Sequence, residues 1–285
     1  MKRMLGVNTW VWVSPLTDEN IGELLTRISD WGFESVELPL EFAGAISDDV
    51  ASRVLAETGL TPYIIGAMAP GRDLVCAEPD TVRATQDYLR ELLRFASVVG
   101  APIVAGPLYS AVGRVWRMDE AERAAAYAEL RENLAPVVEY AASVGVVVGI
   151  EPINRYETSL INTVEQALDA LGPLLGPNLG IALDTYHMNI EQRSSIEAVR
   201  TAGSHVVHVQ VCGNDRGAPG SDQTPWVPLL AALDEVGYEG PLNIESFTAD
   251  NESIATAASI WRPLSPTQDQ LATDGLAFLR SMQGE

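Results

Sequence analysis

Residues 144–151 read VGVVVGIE, and three later stretches repeat their form: LGIALD at 179–184, HVVHVQ at 205–210 and PLNIE at 241–245. Each is an apolar run ending on a polar side chain, respectively Glu151, Asp184, Gln210 and Glu245. Carboxylates are poor strand formers, and buried charge is unfavourable unless paired or bound to a metal. Its recurrence at the same place in successive units points to one shared site. In a parallel β/α barrel the C-terminal strand ends converge on one mouth, where such barrels carry their chemistry. Three carboxylates and an amide oxygen there suit a hard divalent cation. The pattern reads as a metal-dependent enzyme.

Outward from these runs, strand-like and helix-like segments alternate along the chain. Strands are expected at Leu5–Thr9, Ser35–Leu38, Thr61–Gly66, Pro102–Ala105, Val146–Glu151, Leu179–Asp184, Val206–Val211 and Pro241–Glu245. Helical patterns cover Asn20–Trp31, Asp48–Thr58, Pro79–Val99, Asp119–Ser143, Thr163–Leu171, Ile190–Ala202, Val227–Val236 and Gln268–Met282. Thr163 and Gln166 have capping-box spacing, and Gly32, Gly59, Gly100, Gly145 and Gly237 follow helices where a left-handed residue is wanted. Eight β-then-α units with near-continuous apolar strands predict an α/β fold, a single (β/α)8 TIM barrel forming one domain over residues 1–285. An open doubly wound sheet is the alternative, but no GxGxxG follows the first strand.

Three connections are long: Met68–Glu78, Gly106–Met118 and Phe247–Thr267. All follow strand C-termini and are expected to rim the mouth, as functional loops do. They carry Tyr109, Trp116, Trp261 and Arg262, while Trp10 and Trp12 follow the first strand. Aromatic faces at a polar mouth suit stacking on a sugar; taken singly, each reads first as loop packing.

The 285 residues include 18 basic and 39 acidic side chains, a formal charge of −21. That field disfavours nucleic acid and fits a neutral substrate better than a phosphorylated one. No apolar run has membrane-spanning length, and the N-terminus lacks a signal-peptide pattern. Cys76 and Cys212 are far apart and suggest no disulfide framework. A reducing cytoplasm is expected.

The richest motifs are EPINRYE at 151–157, LDTYHMNIE at 183–191, HVQVCGNDRGAPG at 208–220, IESF at 244–247 and SIWRPL at 259–264. Together they resemble the sugar isomerase and epimerase superfamily with a xylose-isomerase-like barrel, most closely the D-tagatose/D-psicose (ketose) 3-epimerases. The resemblance implies one divalent metal per subunit, Mn²⁺ or Mg²⁺ with Co²⁺ admitted, on Glu151, Asp184, Gln210 and Glu245. It implies that Glu151 and Glu245 act as opposed general acid/base groups. Glu157, His187 and Arg216 fall where the family binds substrate oxygens. It also implies a small-molecule sugar as partner, and a homodimer or homotetramer. Gln210 stands where the epimerases usually have His, and Gly213 where they commonly have Glu. A Gln carbonyl is a hard oxygen ligand and tilts preference towards Mg²⁺ or Mn²⁺.

Other readings stay open at this point. Asp184 has the place of a helix cap, Gln210 that of a core amide, and His187 that of a residue orienting a ligand. Glu157 has Arg155 as a possible pair, Arg216 has surface carboxylates near Asp215, and His205 and His208 read as structural. The alternative activity is a hydroxypyruvate isomerase-like or other aldose–ketose isomerase, which Gln210 favours. An inosose dehydratase-like lyase and a non-catalytic sugar-binding barrel complete the set.

Overall fold

In the computed structural model, which describes residues 1–284, eight parallel strands close into a barrel in chain order. They are β1 (Leu5–Asn8), β2 (Ser35–Leu40), β3 (Thr61–Gly66), β4 (Ile103–Gly106), β5 (Val147–Ile150), β6 (Leu179–Asp184), β7 (Val206–Val211) and β8 (Leu242–Ile244). The helices outside them are α1 (Ile21–Asp30), α2 (Asp48–Thr58), α3 (Pro79–Val99), α4 (Glu120–Val144), α5 (Val164–Leu171), α6 (Thr185–Glu191), α7 (Ser195–Ala202), α8 (Trp226–Glu235), α9 (Glu252–Ala257) and α10 (Gln268–Met282). The strands are apolar on both faces because helices cover the outside while side chains fill the inside. Val36, Leu38, Ile64, Val104 and Val148 pack outward against the helices. Tyr63, Ile65, Ile103, Ala105 and Ala182 form a second, inner cluster that continues to the mouth through Trp10, Phe247 and Ile254.

Local chemistry sets the element ends. Thr163 and Gln166 form the expected capping box, and Asp119 with Glu122 forms another. Gly59, Gly100 and Gly145 end α2, α3 and α4 in the left-handed conformation. The expected helix Ile190–Ala202 is instead two, α6 and α7. Asp184 caps α6 through the Tyr186 N–H, and Ser194 starts α7 by accepting from Glu197 N–H. Glu151 and Glu245 fall one residue past their strands, since β5 ends at Ile150 and β8 at Ile244. Leu5–Thr9 shortens because Asn8 accepts from Trp10 N–H and caps a 3-10 turn. The long Phe247–Thr267 connection holds α9, capped by Asn251.

Gly6 has a specific role in closure. Its strand lies between β2 and β8, and Ser35 Oγ donates to Asn243 Oδ1 over it at 2.7 Å. A Cβ on Gly6 would sit 1.9 Å from that Oδ1 and 2.1 Å from the Ser35 Oγ. Among the described residues no helix is long and apolar enough to cross a membrane.

Candidate active site

Side chains alternate along a strand, so residues two apart share a face. Asp184 and Gln210 are neighbours in the β6–β7 ladder, and Gln210 pairs with Asn243, two residues before Glu245. Gly149, two before Glu151, lies beside Ala105 and Ala182 of the inner cluster, where a larger side chain would crowd the barrel. All four strand-end groups are buried, with Glu151, Asp184, Gln210 and Glu245 between 1% and 4% exposed.

Arg216 joins them. Its guanidinium donates to Asp184 Oδ2 and lies 3.0 Å from Glu245 Oε2, with the flat face against the Tyr186 and Phe247 rings. The turn Gly213–Gly217 closes on two backbone hydrogen bonds and holds Arg216 at φ +70°, while Ser246 Oγ donates to the Arg216 carbonyl. Arg216 therefore pairs with buried carboxylates, and it is Arg262 that pairs with Asp215. Asp184 also serves as a helix cap, its Oδ1 accepting from the Tyr186 N–H.

His187 Nδ1 accepts the Asn154 backbone N–H at 3.1 Å, and Nε2 lies 3.1 Å from Arg216 Nη2 and 3.5 Å from Glu151 Oε1. Glu157 accepts from Asn154 Nδ2 at 2.6 Å; Arg155 turns outward to Glu191 instead. Gln210 Nε2 donates to Glu245 Oε1 at 2.8 Å and to Glu37 Oε2 at 2.9 Å. Its amide is thus bonded within the core, while its carbonyl oxygen is not.

The electrostatics follow from enclosure. Burial, then Glu245 and Asp184 nearby, push the Glu151 carboxyl well above the usual range. Burial also raises Glu245 well above it, against the pull of Arg216. For Asp184 the cost of burial is outweighed by Arg216 and His187, which hold it below its ordinary value. Burial lowers His187 and favours the neutral ring.

These residues fit a cation. Glu151, Asp184 and His187 each offer a ligand atom within 4.8 Å of the others, a geometry able to hold a metal ion. Glu151 Oε1 and Gln210 Oε1 are buried and accept no hydrogen bond. The oxygen-rich donor set suits a hard ion.

Above the cluster opens a cavity of about 260 Å³. Glu151, Glu157, His187, Arg216 and Glu245 line its floor, and Trp10, Met68, Phe247 and Ile254 are among its largely apolar walls. Of Trp10, Trp12, Tyr109, Trp116 and Trp261, Trp10 alone lines this cavity. Tyr109 is enclosed beneath it, its hydroxyl 3.1 Å from the Glu151 and Ile161 carbonyls. Trp12 stacks on Trp31, Trp116 lies under Arg114, and Trp261 is exposed. Sequence reasoning passed over Glu37, Asn8 and Asn243 and took His208 as structural; all four lie directly beneath the site. Glu37 carried the same signal as Glu151, a carboxylate in an apolar run, but it stands mid-strand.

A closed parallel barrel with enclosed carboxylates at its C-terminal mouth places the protein among the β/α barrels whose chemistry sits at that face. A family model described as a xylose isomerase-like TIM barrel matches residues 25–282. The chain is 30% identical to a probable ketose 3-epimerase of Synechocystis sp., over 98% of this chain and 96% of that one. It is 30% identical to the ketose 3-epimerase of Arthrobacter globiformis, over 97% of this chain and 95% of the relative. A crystal structure of a Methylomonas sp. D-allulose 3-epimerase in complex with D-allulose superposes with a TM-score of 0.90 at 25% identity, covering 99% and 97% of the two chains. The chain belongs to the xylose isomerase-like TIM-barrel family, and within it to the ketose 3-epimerases, which are carbohydrate epimerases of the isomerase class.

Proposed function

We propose that the chain is a metal-dependent 3-epimerase of free ketoses of the D-tagatose, D-psicose and L-ribulose type. The observation that carries this reading is the pair of buried carboxyls at the ends of β5 and β8, both held above the usual carboxylate range. A carboxyl raised by burial holds a proton more readily than a free one, which suits a general acid/base pair. Epimerisation at C3 needs one group to remove the proton beside the C2 carbonyl and another to return one from the opposite face. Glu151 and Glu245 fill those roles, and Glu157, His187 and Arg216 orient the C1 and C2 oxygens.

Glu151, Asp184, Gln210 and Glu245 would hold the cation, with His187 beside them. The ion supplies Lewis-acid polarisation of the substrate carbonyl. Donor hardness favours Mn²⁺ or Mg²⁺, with Co²⁺ admitted. The cavity supports a free sugar over a phosphorylated one, because both arginines lining it are engaged. Arg216 is held by Asp184 and Glu245, and Arg72 donates to the Glu41 and Ala67 carbonyls while stacking on Tyr88. We further propose one domain over residues 1–285, a homodimer or homotetramer, and a reducing cytoplasm as its setting.

Gln210 supports a second reading, an aldose–ketose isomerase of the hydroxypyruvate isomerase kind, in which the proton returns to an adjacent carbon. The deciding assay incubates metal-free and Mn²⁺-loaded protein with D-fructose, D-tagatose or L-ribulose and separates the products chromatographically. The C3 epimer formed only with the ion supports the epimerase; an aldose product supports the isomerase.

A further inference from the structure

Glu37 lies mid-strand in β2 and is fully enclosed inside the barrel. Four side-chain donors meet its carboxylate. Oε1 lies 2.6 Å from His208 Nε2 and 3.2 Å from Asn243 Nδ2; Oε2 lies 2.7 Å from Asn8 Nδ2 and 2.9 Å from Gln210 Nε2. The Gln210 NH₂ group is thereby shared between two carboxylates, since Glu245 Oε1 takes its other proton. Carboxylate oxygens accept, so an amide wedged between two of them must present its nitrogen to both. Its carbonyl oxygen is left facing away from them, buried and accepting nothing. Asn8 Nδ2 spans the same two carboxylates, at 2.7 Å from Glu37 and 3.4 Å from Glu245.

We infer that Glu37 is a positioning residue for the cation site: it fixes the Gln210 amide so that Oε1, not the NH₂ group, is offered to the ion. The inference rests on the reading of Gln210 as a ligand. An amide is nearly symmetric in shape but not in charge, and a flipped Gln210 would aim two donor hydrogens at a cation. Glu37 removes that freedom, and its own orientation is fixed from three sides. Tyr63 packs against His208 with ring centroids 5.2 Å apart and the planes tilted by 33°. Ser35 occupies Asn243 Oδ1, turning Nδ2 to Glu37, and Gly6 leaves room for that contact. Asn8 is fixed by the turn that it caps. The arrangement explains how an amide serves where an imidazole is usual in the family: a partner outside the ligand set chooses which of its atoms faces the ion.

The test is a double-mutant cycle on Mn²⁺ binding to the whole chain, read by electron paramagnetic resonance of free Mn²⁺ and by calorimetry. Circular dichroism and thermal melting establish that each variant is folded. Glu37→Gln is expected to weaken Mn²⁺ about tenfold or more, the range for groups that orient metal ligands. Gln210→Met removes the carbonyl, and adding Glu37→Gln to it should change affinity by no more than about twofold, because the group through which Glu37 acts is gone. Glu37→Asp keeps the charge but withdraws from Gln210; it should show the same sign and serves if Glu37→Gln does not fold. Wild-type affinity in Glu37→Gln, or losses that multiply in the double variant, overturns the positioning role alone. A wild-type protein that takes up no Mn²⁺ overturns the cation reading and this inference with it.

Discussion

Arg216 Nη1 lies 3.0 Å from Glu245 Oε2 while also donating to Asp184, so one enclosed guanidinium bridges the strand-end carboxylates of β6 and β8. The side chain is held there by its left-handed backbone, by Ser246 and by two aromatic faces. A buried carboxylate without a counter-charge is strongly unfavourable. Arg216 thus stabilises the cluster of buried carboxylates.

Arg216→Met should reveal both roles. We expect the metal-free variant to lose roughly 3 kcal/mol of stability, the scale for breaking a buried ion pair. Mn²⁺ should restore a larger part of the melting temperature in the variant than it adds to wild type. Turnover should fall about 10²-fold, since a positioned donor to the substrate is lost. Paired thermal melts with and without Mn²⁺, alongside kcat, check these outcomes.

Glu151→Gln and Glu245→Gln keep size but remove the exchangeable carboxyl. Each should lower kcat by about 10² to 10⁴-fold, the range for a positioned acid or base. The double variant should lose little more than the worse single variant, because the two groups act as one unit. Steady-state kinetics on all three variants provide the measurement.

Cation affinity should fall with falling pH. Burial raises Glu151 and Glu245 in the metal-free protein, helped by Glu245 and Asp184 at Glu151 and by Asp184 and Glu37 at Glu245, so protons compete with the ion there. Raised carboxyls mean the folded metal-free chain binds more protons than the unfolded chain. Their contribution to stability is therefore full below the ordinary carboxylate value and is lost as pH rises through the raised one. The melting-temperature gain from added Mn²⁺ should accordingly grow with pH. Calorimetric titrations in buffers of different ionisation enthalpy should show proton release on binding.

Two substitutions test the packing beneath the site. Tyr109→Phe deletes a buried hydroxyl near the Glu151 and Ile161 carbonyls and should destabilise by about 1–2 kcal/mol. Gly6→Ala forces a methyl group into the Ser35–Asn243 contact and should destabilise by about 1–3 kcal/mol. Urea unfolding monitored by circular dichroism checks both.

The barrel was legible because its strands are apolar on both faces and its helices carry explicit ends, such as Thr163 with Gln166. The strand-end residues were legible because a carboxylate closing an apolar run has few structural explanations. The break after α6 is set by Ser194, a cap inside an otherwise continuous helical pattern, which periodicity alone does not mark. The layer beneath was missed for a different reason. Asn8, Asn243 and Gln210 meet at Glu37 only across β1, β2, β7 and β8, and a linear pattern holds no record of which polar side chains meet inside a closed barrel.

The most direct measurement is proton exchange followed by NMR: Mn²⁺-loaded protein with D-fructose, D-tagatose or L-ribulose in D₂O. The account predicts deuterium at C3 together with the C3 epimer, abolished by chelation and by Glu245→Gln. Deuterium confined to C1, or appearing at C2 of an aldose product, would contradict it in favour of an isomerase. Absence of exchange with every ketose tested would remove free ketoses as substrates altogether.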